Sequence, residues 1–244
     1  MKQPVFCTAG ETPALRHARK QLLQWGYTFS PTHQHDATHL LLPVPSLDPD
    51  GRIKGGPPLE ELLQGMPENV TVLGGNLPPL PCRHEDFLKD PYYLEENAAI
   101  TAQCTITLLQ RHSQIADQRI LIIGWGRIGK QLAALLQPLG AAVTVAARQD
   151  RDLQSLEALG YRHVWTKDWN LSQYHIIINT APAPLLDESE THPEAMLVDL
   201  ASVRGISGRR VIWARGLPNQ EAPDASGILI AKTALRYALG KESL

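Results

Sequence analysis

The sequence has 244 residues, enough for one large domain or two small ones. Its formal net charge of -2, with no long basic run, argues against a nucleic-acid-binding protein. No apolar run reaches the roughly 18 residues that a membrane span needs, and the N-terminus lacks the apolar core of a signal peptide. Three widely spaced cysteines, Cys7, Cys82 and Cys104, form no metal-binding pattern. We therefore expect a cytoplasmic protein with reduced thiols that binds neither membranes nor nucleic acids.

Residues 1–95 alternate short apolar strands with helices, which predicts a small N-terminal α/β domain with a parallel sheet. One helix is predicted from Pro13 to about Trp25, because Thr12 suits the N-cap and proline suits the first helical position. The other predicted elements are strands at 5–7, 27–30, 39–44 and 70–73, a helix at 59–63, and loops rich in glycine and proline at 48–58 and 74–81.

Residues 96–116 are predicted to link the two regions through one long helix, because 96–112 contains no glycine or proline and has apolar residues near helical spacing. The region 117–221 again alternates strands and helices, which predicts a doubly wound parallel sheet. Its predicted elements are strands at 119–123, 142–146, 163–165, 175–179, 196–200 and 210–213, and helices at 128–139, 151–159 and 188–192. A C-terminal helix at 226–239, within 222–244, is expected to complete the N-terminal domain.

A glycine motif follows the first strand of the second region and opens a helix. The motif consists of Gly124, Trp125, Gly126, Arg127, Ile128 and Gly129. Gly124 permits a tight turn, Gly126 lets a pyrophosphate approach the backbone, and Gly129 lets the helix pack closely on the strand. The helix N-terminus then directs free N–H groups at the phosphates, which the Arg127 side chain can also reach. This context predicts a Rossmann-type dinucleotide-binding domain; the alternative is a tight turn that binds no nucleotide.

The end of the next strand indicates which dinucleotide binds. Where NAD-binding domains carry an acidic residue for the ribose 2′-hydroxyl, this chain has Ala147 followed by Arg148 and Gln149. A guanidinium can bind a 2′-phosphate in a bidentate, charge-assisted way, and Gln149 can add a donor. We therefore predict NADP, with NAD the less favoured cofactor. The alternative is that Arg148 is a solvated surface residue.

Further site residues are expected in loops that follow other strands, because ligands of open α/β sheets bind beyond the carboxyl ends of the strands. Asn179, Thr180 and Ala181 follow one such strand and are predicted to contact the nicotinamide ribose. Alternatively, Asn179 and Thr180 satisfy backbone groups in a proline-rich turn. No metal site is predicted in this region.

Arg204 and Arg215 follow two later strands and are candidates for binding a small dicarboxylate, since guanidinium groups pair well with carboxylates. Thr101 and Thr105 on the linking helix are predicted to add hydroxyl donors in a cleft between the two regions. Arg204 and Asp199 are the predicted catalytic residues, with Asp199 or water accepting a proton from the substrate. The alternative for Asp199 is a buried residue that caps turns, and for each arginine a place on the surface.

The histidines form one local cluster and are otherwise scattered. His33, His35, Asp36 and His39 have spacing that resembles a metal site, but a polar loop is favoured because no cysteine or fixed helical face accompanies them. No histidine follows His192, which argues against a late histidine acting as general acid on a carbonyl substrate.

Several motifs together resemble the family of the A chain of dipicolinate synthase. They are Asn-Ala-Ala-Ile-Thr-Ala-Gln-Cys-Thr-Ile at 97–106, the glycine motif, the second strand ending in arginine, Ile-Asn-Thr at 178–180, Val-Asp-Leu-Ala-Ser at 198–202, and Gly-Leu-Pro at 216–218 with Ala-Pro at 222–223 and Ser-Gly at 226–227. The resemblance covers residues 95–240. It implies a two-domain protein distantly similar to D-2-hydroxyacid dehydrogenases. The implied activity is oxidation of a dihydropyridine dicarboxylate to dipicolinate in spore-forming bacteria, together with a flavoprotein-like second subunit; we also expect a homo-oligomer.

The chain departs from this family pattern at the proposed substrate cleft. The family's Arg-Pro-Gly-Gly is replaced by Val-Arg-Gly-Ile at 203–206, Asn219 stands where a glycine is expected, and residues 1–95 do not match motif by motif. Two alternatives therefore stay open: an NADP-dependent dehydrogenase of another small carboxylate, and a non-catalytic cofactor-binding subunit.

Overall fold

The computed structural model describes residues 3–30 and 36–240 of the chain. The chain divides into two compact units. The first consists of residues 1–97 together with 218–244, and the second of residues 98–217. The helix that contains the division point contributes residues to both units. The first unit is therefore discontinuous in sequence, and the second is inserted into it.

The first unit contains a five-stranded, entirely parallel sheet. Its elements are β1 (Val5–Thr8), α1 (Pro13–Gln24), β2 (Thr28–Phe29), β3 (His39–Leu41), α2 (Leu59–Gln64), β4 (Thr71–Gly74), β5 (His84–Asp86), a 3-10 turn (Phe87–Lys89) and the start of α3 (Pro91–His112). The strand order is β2-β1-β3-β4-β5. Leu40 and Val72 are fully buried in the core on one face of this sheet. This arrangement agrees with the alternation seen in the sequence.

The C-terminal segment returns to the first unit as α6 (Leu217–Glu221) and α7 (Pro223–Leu239), and α7 packs on α1. Gly227 makes this close approach feasible. A Cβ at Gly227 would lie 2.4 Å from the Cβ of His17 and 2.7 Å from the carbonyl oxygen of Ala14. A side chain at this position would therefore force the two helices apart.

Elements of the first unit differ from the sequence predictions most clearly at β3, β5 and α3. β3 ends at Leu41 rather than at residue 44, since Pro43 has no N–H to donate to a strand ladder. The strand β5 was not predicted, because His-Glu-Asp lacks the apolar alternation of a half-buried strand. The helix α3 begins five residues earlier than predicted, at Pro91 rather than at 96, because the Asp90 carboxylate accepts hydrogen bonds from the N–H groups of Tyr92 and Tyr93.

The second unit contains a six-stranded parallel sheet in the order β13-β11-β9-β6-β7-β8. Its elements after α3 are β6 (Arg119–Ile123), α4 (Arg127–Leu136), β7 (Ala142–Ala147), α5 (Asp150–Ala158), β8 (Arg162–Trp165), β9 (Ile176–Asn179), β10 (Leu186–Asp187), β11 (Met196–Asp199), β12 (Ile206–Ser207) and β13 (Ile212–Trp213), with 3-10 turns at Leu171–Gln173 and Glu188–Glu190. This order is that of a doubly wound Rossmann sheet, which confirms the predicted fold class.

The central strands of this sheet are buried on both faces, as expected for parallel strands covered by helices. Residues 120–123 of β6 and 176–179 of β9 are all almost completely inaccessible. Some boundaries are shifted, as in α4, which ends at Leu136 rather than at 139, and two further features differ from prediction. The helix expected at 188–192 is only a 3-10 turn, and β10 and β12 form a separate two-stranded sheet that the sequence analysis missed. Strands of two residues carry too little periodicity to be recognised.

Candidate cofactor and substrate site

The glycine loop joins β6 to α4 at the carboxyl edge of the sheet. Gly124 has φ of +102°, a backbone conformation that favours glycine, and its N–H donates to the carbonyl of Ala146 at 2.9 Å. A Cβ at Gly129 would lie 2.1 Å from the carbonyl oxygen of Gly124. These two glycines therefore build the turn and allow α4 to approach β6 closely.

Gly126 differs from the other two glycines of the motif. It is the N-cap residue of α4, its φ of -81° lies in a region open to any residue, and it is exposed. A Cβ built at Gly126 would meet no atom within 4 Å. Glycine is therefore not required here by the protein's own packing, and the open space at a helix N-terminus suits a pyrophosphate that lies against the backbone. The residues present thus fit a dinucleotide.

The three remaining residues of the motif differ in their surroundings. The Trp125 side chain is 8% exposed; its Nε1 donates to the Ser155 hydroxyl at 3.4 Å, and its ring packs edge-on against Tyr161. Trp125 therefore holds α5 against the loop, and its backbone alone is left for a nucleotide. Arg127 is exposed in the first turn of α4, and Ile128 is half-buried.

β7 ends at the buried Ala147, and the exposed Arg148 follows directly. Gln149 is the N-cap residue of α5, although its side chain makes no capping hydrogen bond. Within the part of the chain that the structure describes, Arg148 forms no ion pair with a carboxylate. A guanidinium without an acidic partner at this strand end is suited to a phosphate.

Asn179 and Thr180 organise the edge of the sheet beside the glycine loop. The Thr180 hydroxyl donates to the carbonyl of Ile123 at 2.8 Å. The Asn179 amide group accepts from the N–H of Ala181 at 3.0 Å and donates to the carboxylate of Asp199 at 2.9 Å. Asn179 is fully buried. These side chains therefore satisfy local groups, which favours the turn-stabilising alternative, and the Thr180 hydroxyl borders the glycine loop, 2.7 Å from where a Cβ of Gly124 would lie.

Asp199 lies at the end of β11 and is fully buried. Oδ1 accepts from Asn179 Nδ2 and from the N–H of Ala201 at 3.1 Å, and Oδ2 accepts from the N–H groups of Gly205 and Ile206 at 2.6 and 2.9 Å. A carboxylate has about four acceptor positions, so these donors occupy them all. This geometry favours the alternative, in which Asp199 caps turns, over its predicted role as proton acceptor.

The two arginines proposed for substrate binding behave differently. The Arg204 side chain folds back on its own loop, where Nε donates to the carbonyl of Ile206 at 3.0 Å and Nη2 to that of Gly208 at 2.7 Å. Arg215 is exposed and follows β13. Arg204 thus stabilises its loop, and Arg215 is the more accessible cation for an anionic ligand.

The threonines of α3 are largely buried. Thr105 is completely inaccessible, and its hydroxyl donates to the carbonyl of Thr101 at 2.8 Å. This bond to the preceding helical turn uses the only proton of that hydroxyl. The structure therefore favours a role for Thr105 within its own helix over the predicted one as a donor to a substrate. Thr101 is 6% exposed.

Two contacts at this edge were missed by the sequence analysis. Gly205 packs directly against Asn179, since a Cβ there would lie 2.3 Å from Asn179 Nδ2. Trp213 is 46% exposed, and its Nε1 donates to the carbonyl of Ala201 at 3.3 Å. Gly205 could have been suspected from its place in a loop after a strand, whereas a tryptophan in an edge strand gives no such signal.

Metal binding has little support in the described residues, where no group of three histidine, cysteine or acidic side chains is arranged to hold an ion. His33 and His35 of the suspected cluster lie outside these residues, and His39 contacts Thr38. All three cysteines are free thiols. Among the described helices, none is long and apolar enough to cross a membrane.

Comparison with known proteins places this geometry in context. Residues 98–192, all of which lie within the second unit, match the model of the NAD binding domain of D-isomer specific 2-hydroxyacid dehydrogenases. Among curated proteins, no sequence matches significantly.

Solved structures match over nearly the whole chain. The A chain of dipicolinate synthase from Bacillus halodurans has a TM-score of 0.83 at 20% identity, covering 97% of both chains. Its counterpart from Bacillus subtilis has a TM-score of 0.81 at 19% identity, covering 99% of both. The chain shares the fold of these dipicolinate synthase chains. A transhydrogenase from Sinorhizobium meliloti scores 0.70 at 14% identity, covering 96% of this chain and 92% of its own.

The resemblance found in the sequence motifs is thus confirmed by the fold, and the distant similarity to D-2-hydroxyacid dehydrogenases is confirmed by the domain match. Together, the NAD-binding domain and the dehydrogenase-like fold support a nicotinamide-dependent oxidoreductase.

Proposed function

We propose that this protein is an NADP-dependent oxidoreductase that oxidises a dihydropyridine dicarboxylate to dipicolinate, as the name of its structural neighbours suggests. The strongest support for this proposal comes from the carboxyl edge of the sheet in the second unit. There the open backbone at Gly126 and the exposed guanidinium of Arg148 follow the ends of adjacent parallel strands.

NADP is favoured over NAD by charge. An acidic residue at the end of β7 would repel a 2′-phosphate, whereas this strand ends in Ala147 and Arg148 follows. The first acidic side chain, Asp150, begins α5 two residues after Arg148. Gly126 and the N-terminus of α4 receive the pyrophosphate in this proposal, and Arg148 receives the 2′-phosphate.

The reaction requires little acid–base chemistry from the protein. The ring of the substrate loses a hydride and a proton and becomes aromatic, and the bound nicotinamide supplies the acceptor for the hydride. Because hydrogen bonds fill every acceptor position of Asp199, the proton leaves to water in this proposal. The main task of the protein is then to hold a dianionic ring in place.

Arg215 is the proposed carboxylate anchor, since it is exposed and forms no ion pair with another described residue. Arg204 contributes indirectly by stabilising the 204–208 loop. In this proposal the protein is a cytoplasmic homo-oligomer, and it works with the flavoprotein-like second subunit that the sequence resemblance implies.

A thermal-shift titration tests the substrate class. Dipicolinate, as product, should raise the melting temperature in the presence of NADP, because a ligand that binds the folded state stabilises it by mass action. Isophthalate, which has the same two carboxylates but no ring nitrogen, is the matched ligand control, and Arg215→Ala should weaken the dipicolinate shift. The absence of any dipicolinate shift, with or without NADP and a candidate flavoprotein-like partner, would refute the substrate assignment.

A dehydrogenase of another small carboxylate is favoured by one observation. Arg204, in the 203–206 segment that departs from the family pattern, donates to backbone carbonyls of its own loop. A panel of small mono- and dicarboxylates, assayed by NADPH absorbance, separates the two enzymes. No turnover with any of them, alongside intact NADP binding, would indicate the non-catalytic subunit.

A further inference from the structure

A cavity lies at the edge of the Rossmann sheet where its strands begin, opposite the edge that carries the glycine loop. It has a volume of about 540 Å³ and is bordered by the end of α3 and the amino ends of β6, β9, β11 and β13. The ionisable side chains that line it are His112, Arg119, His175, His192 and Glu194. None of them takes part in the proposed oxidoreductase site, which lies at the carboxyl ends of the same strands.

Backbone N–H groups donate to two of these histidines. The N–H of Arg119 donates to Nδ1 of His175 at 3.3 Å, and the N–H of Glu194 donates to Nδ1 of His192 at 3.2 Å. A neutral imidazole has one acceptor nitrogen and one N–H. Because Nδ1 of His192 accepts, Nε2 of that ring carries the proton and offers an N–H donor.

The backbone and the guanidinium of Arg119 both approach the ring of His175. The guanidinium Nη2 is 3.0 Å from Nε2 of His175. Both groups of Arg119 can only donate, and a neutral imidazole has a single acceptor nitrogen, so the ring can accept from one of them and not from the other. Within residues 3–30 and 36–240, Arg119 forms no ion pair with a carboxylate. An acceptor beside Arg119 would satisfy the remaining donor.

We propose that this cavity binds a small anion with several oxygen atoms, such as inorganic phosphate or a short dicarboxylate. The anion would accept hydrogen bonds from Arg119 and from Nε2 of His192, beside the ring of His175, and the bond from Arg119 is strengthened because both partners are charged. Glu194 supplies a carboxylate to the lining, and Arg119 carries the opposite charge.

Isothermal titration of the protein with phosphate, and separately with malonate, tests the site and distinguishes the two anion classes. Because phosphate can also occupy the pyrophosphate position, each titration is repeated with saturating NADP. Binding should persist under saturation. Arg119→Ala and His192→Ala should each weaken it about tenfold, the loss expected for one charge-assisted hydrogen bond. Arg162→Ala is the matched control, because Arg162 is also an exposed arginine at the start of a strand of this sheet.

Histidine resonances give a readout that does not depend on affinity. Anion addition should shift the ring signals of His175 and His192 in an NMR spectrum of the NADP-bound protein and leave those of His17 unchanged. The proposal is overturned if neither anion binds, if NADP abolishes binding, or if Arg162→Ala weakens binding as much as Arg119→Ala. The comparison of Arg119→Ala with Arg162→Ala, made without NADP, does not depend on the oxidoreductase assignment.

Discussion

Asn179 and Asp199 are register partners at the ends of the adjacent strands β9 and β11, and a hydrogen bond of 2.9 Å joins their side chains. Both residues are fully buried. Each also binds backbone N–H groups in the loop that follows its own strand. One pair of side chains therefore fixes two loops at the carboxyl edge of the sheet, beside the glycine loop.

Replacing Asp199 by Ala should lower the free energy of unfolding by about 3 kcal/mol or more, because four buried donors lose their acceptor. Asp199→Asn should also destabilise the protein, since its NH2 group opposes a backbone N–H. Urea denaturation followed by fluorescence measures both effects. Full stability of Asp199→Asn with loss of turnover would instead establish a chemical role for the carboxylate.

Replacing Arg148 by Ala should weaken NADP(H) binding by about 1–3 kcal/mol and leave NAD(H) binding almost unchanged, because only NADP carries the 2′-phosphate. Calorimetric titration with both nucleotides measures the difference. Arg151→Ala is the control, since Arg151 is an exposed arginine three residues further on that pairs with Asp152. An equal loss for both nucleotides would contradict the NADP assignment.

Replacing Gly126 by Val should abolish dinucleotide binding without unfolding the protein. The backbone angles at Gly126 suit any residue and a Cβ meets nothing, so the valine occupies space that only the cofactor needs. Gly129→Ala should behave in the opposite way and lower the free energy of unfolding by about 1–3 kcal/mol, because its Cβ would collide with the carbonyl of Gly124. Circular dichroism with nucleotide titration separates the outcomes. If Gly126→Val bound NADP normally, Gly126 would serve only as a turn residue and not in cofactor binding.

Asp90 should make stability depend on pH. Burial alone would raise the pKa of its carboxyl, but hydrogen bonds from the Tyr237 hydroxyl and the N–H of Tyr93, with the nearby charge of Arg236, lower it below its ordinary value of 3.8. The stabilisation is therefore fully present above that value and is lost as the pH falls through the lowered pKa.

Asp90→Asn should consequently cost about 1–2 kcal/mol of unfolding free energy at neutral pH, and the difference from the unmodified protein should shrink below about pH 4. Urea denaturation across this range measures it, with the exposed Asp168→Asn as control. A difference that does not change with pH would show that the Asp90 charge is unimportant.

The sequence predicted the Rossmann sheet well because its signals are local. The strand Arg119–Ile123 was predicted to the residue, since a continuous apolar run meets a glycine turn there. The cofactor loop followed from the same motif, because each glycine has a separate steric reason.

The sequence predicted the substrate side less well, because side-chain partners there come from distant residues. Nothing local shows that Asp199 meets donors at positions 179, 205 and 206, or that the Thr105 hydroxyl is used within its own helix. The register that creates such contacts depends on how strands far apart in sequence pair in the folded sheet.

The insertion of the second unit into the first has a consequence for synthesis on the ribosome. The face of α1 that carries Ala14, Ala18 and Leu22 is buried in the folded protein, and its partner helix α7 is made almost two hundred residues later. The dinucleotide-binding unit can fold as soon as residue 217 has emerged. At that point the first unit still lacks α7, so the apolar face of α1 stays exposed. Nascent chains that stall in this interval are the form most exposed to aggregation and most dependent on chaperones.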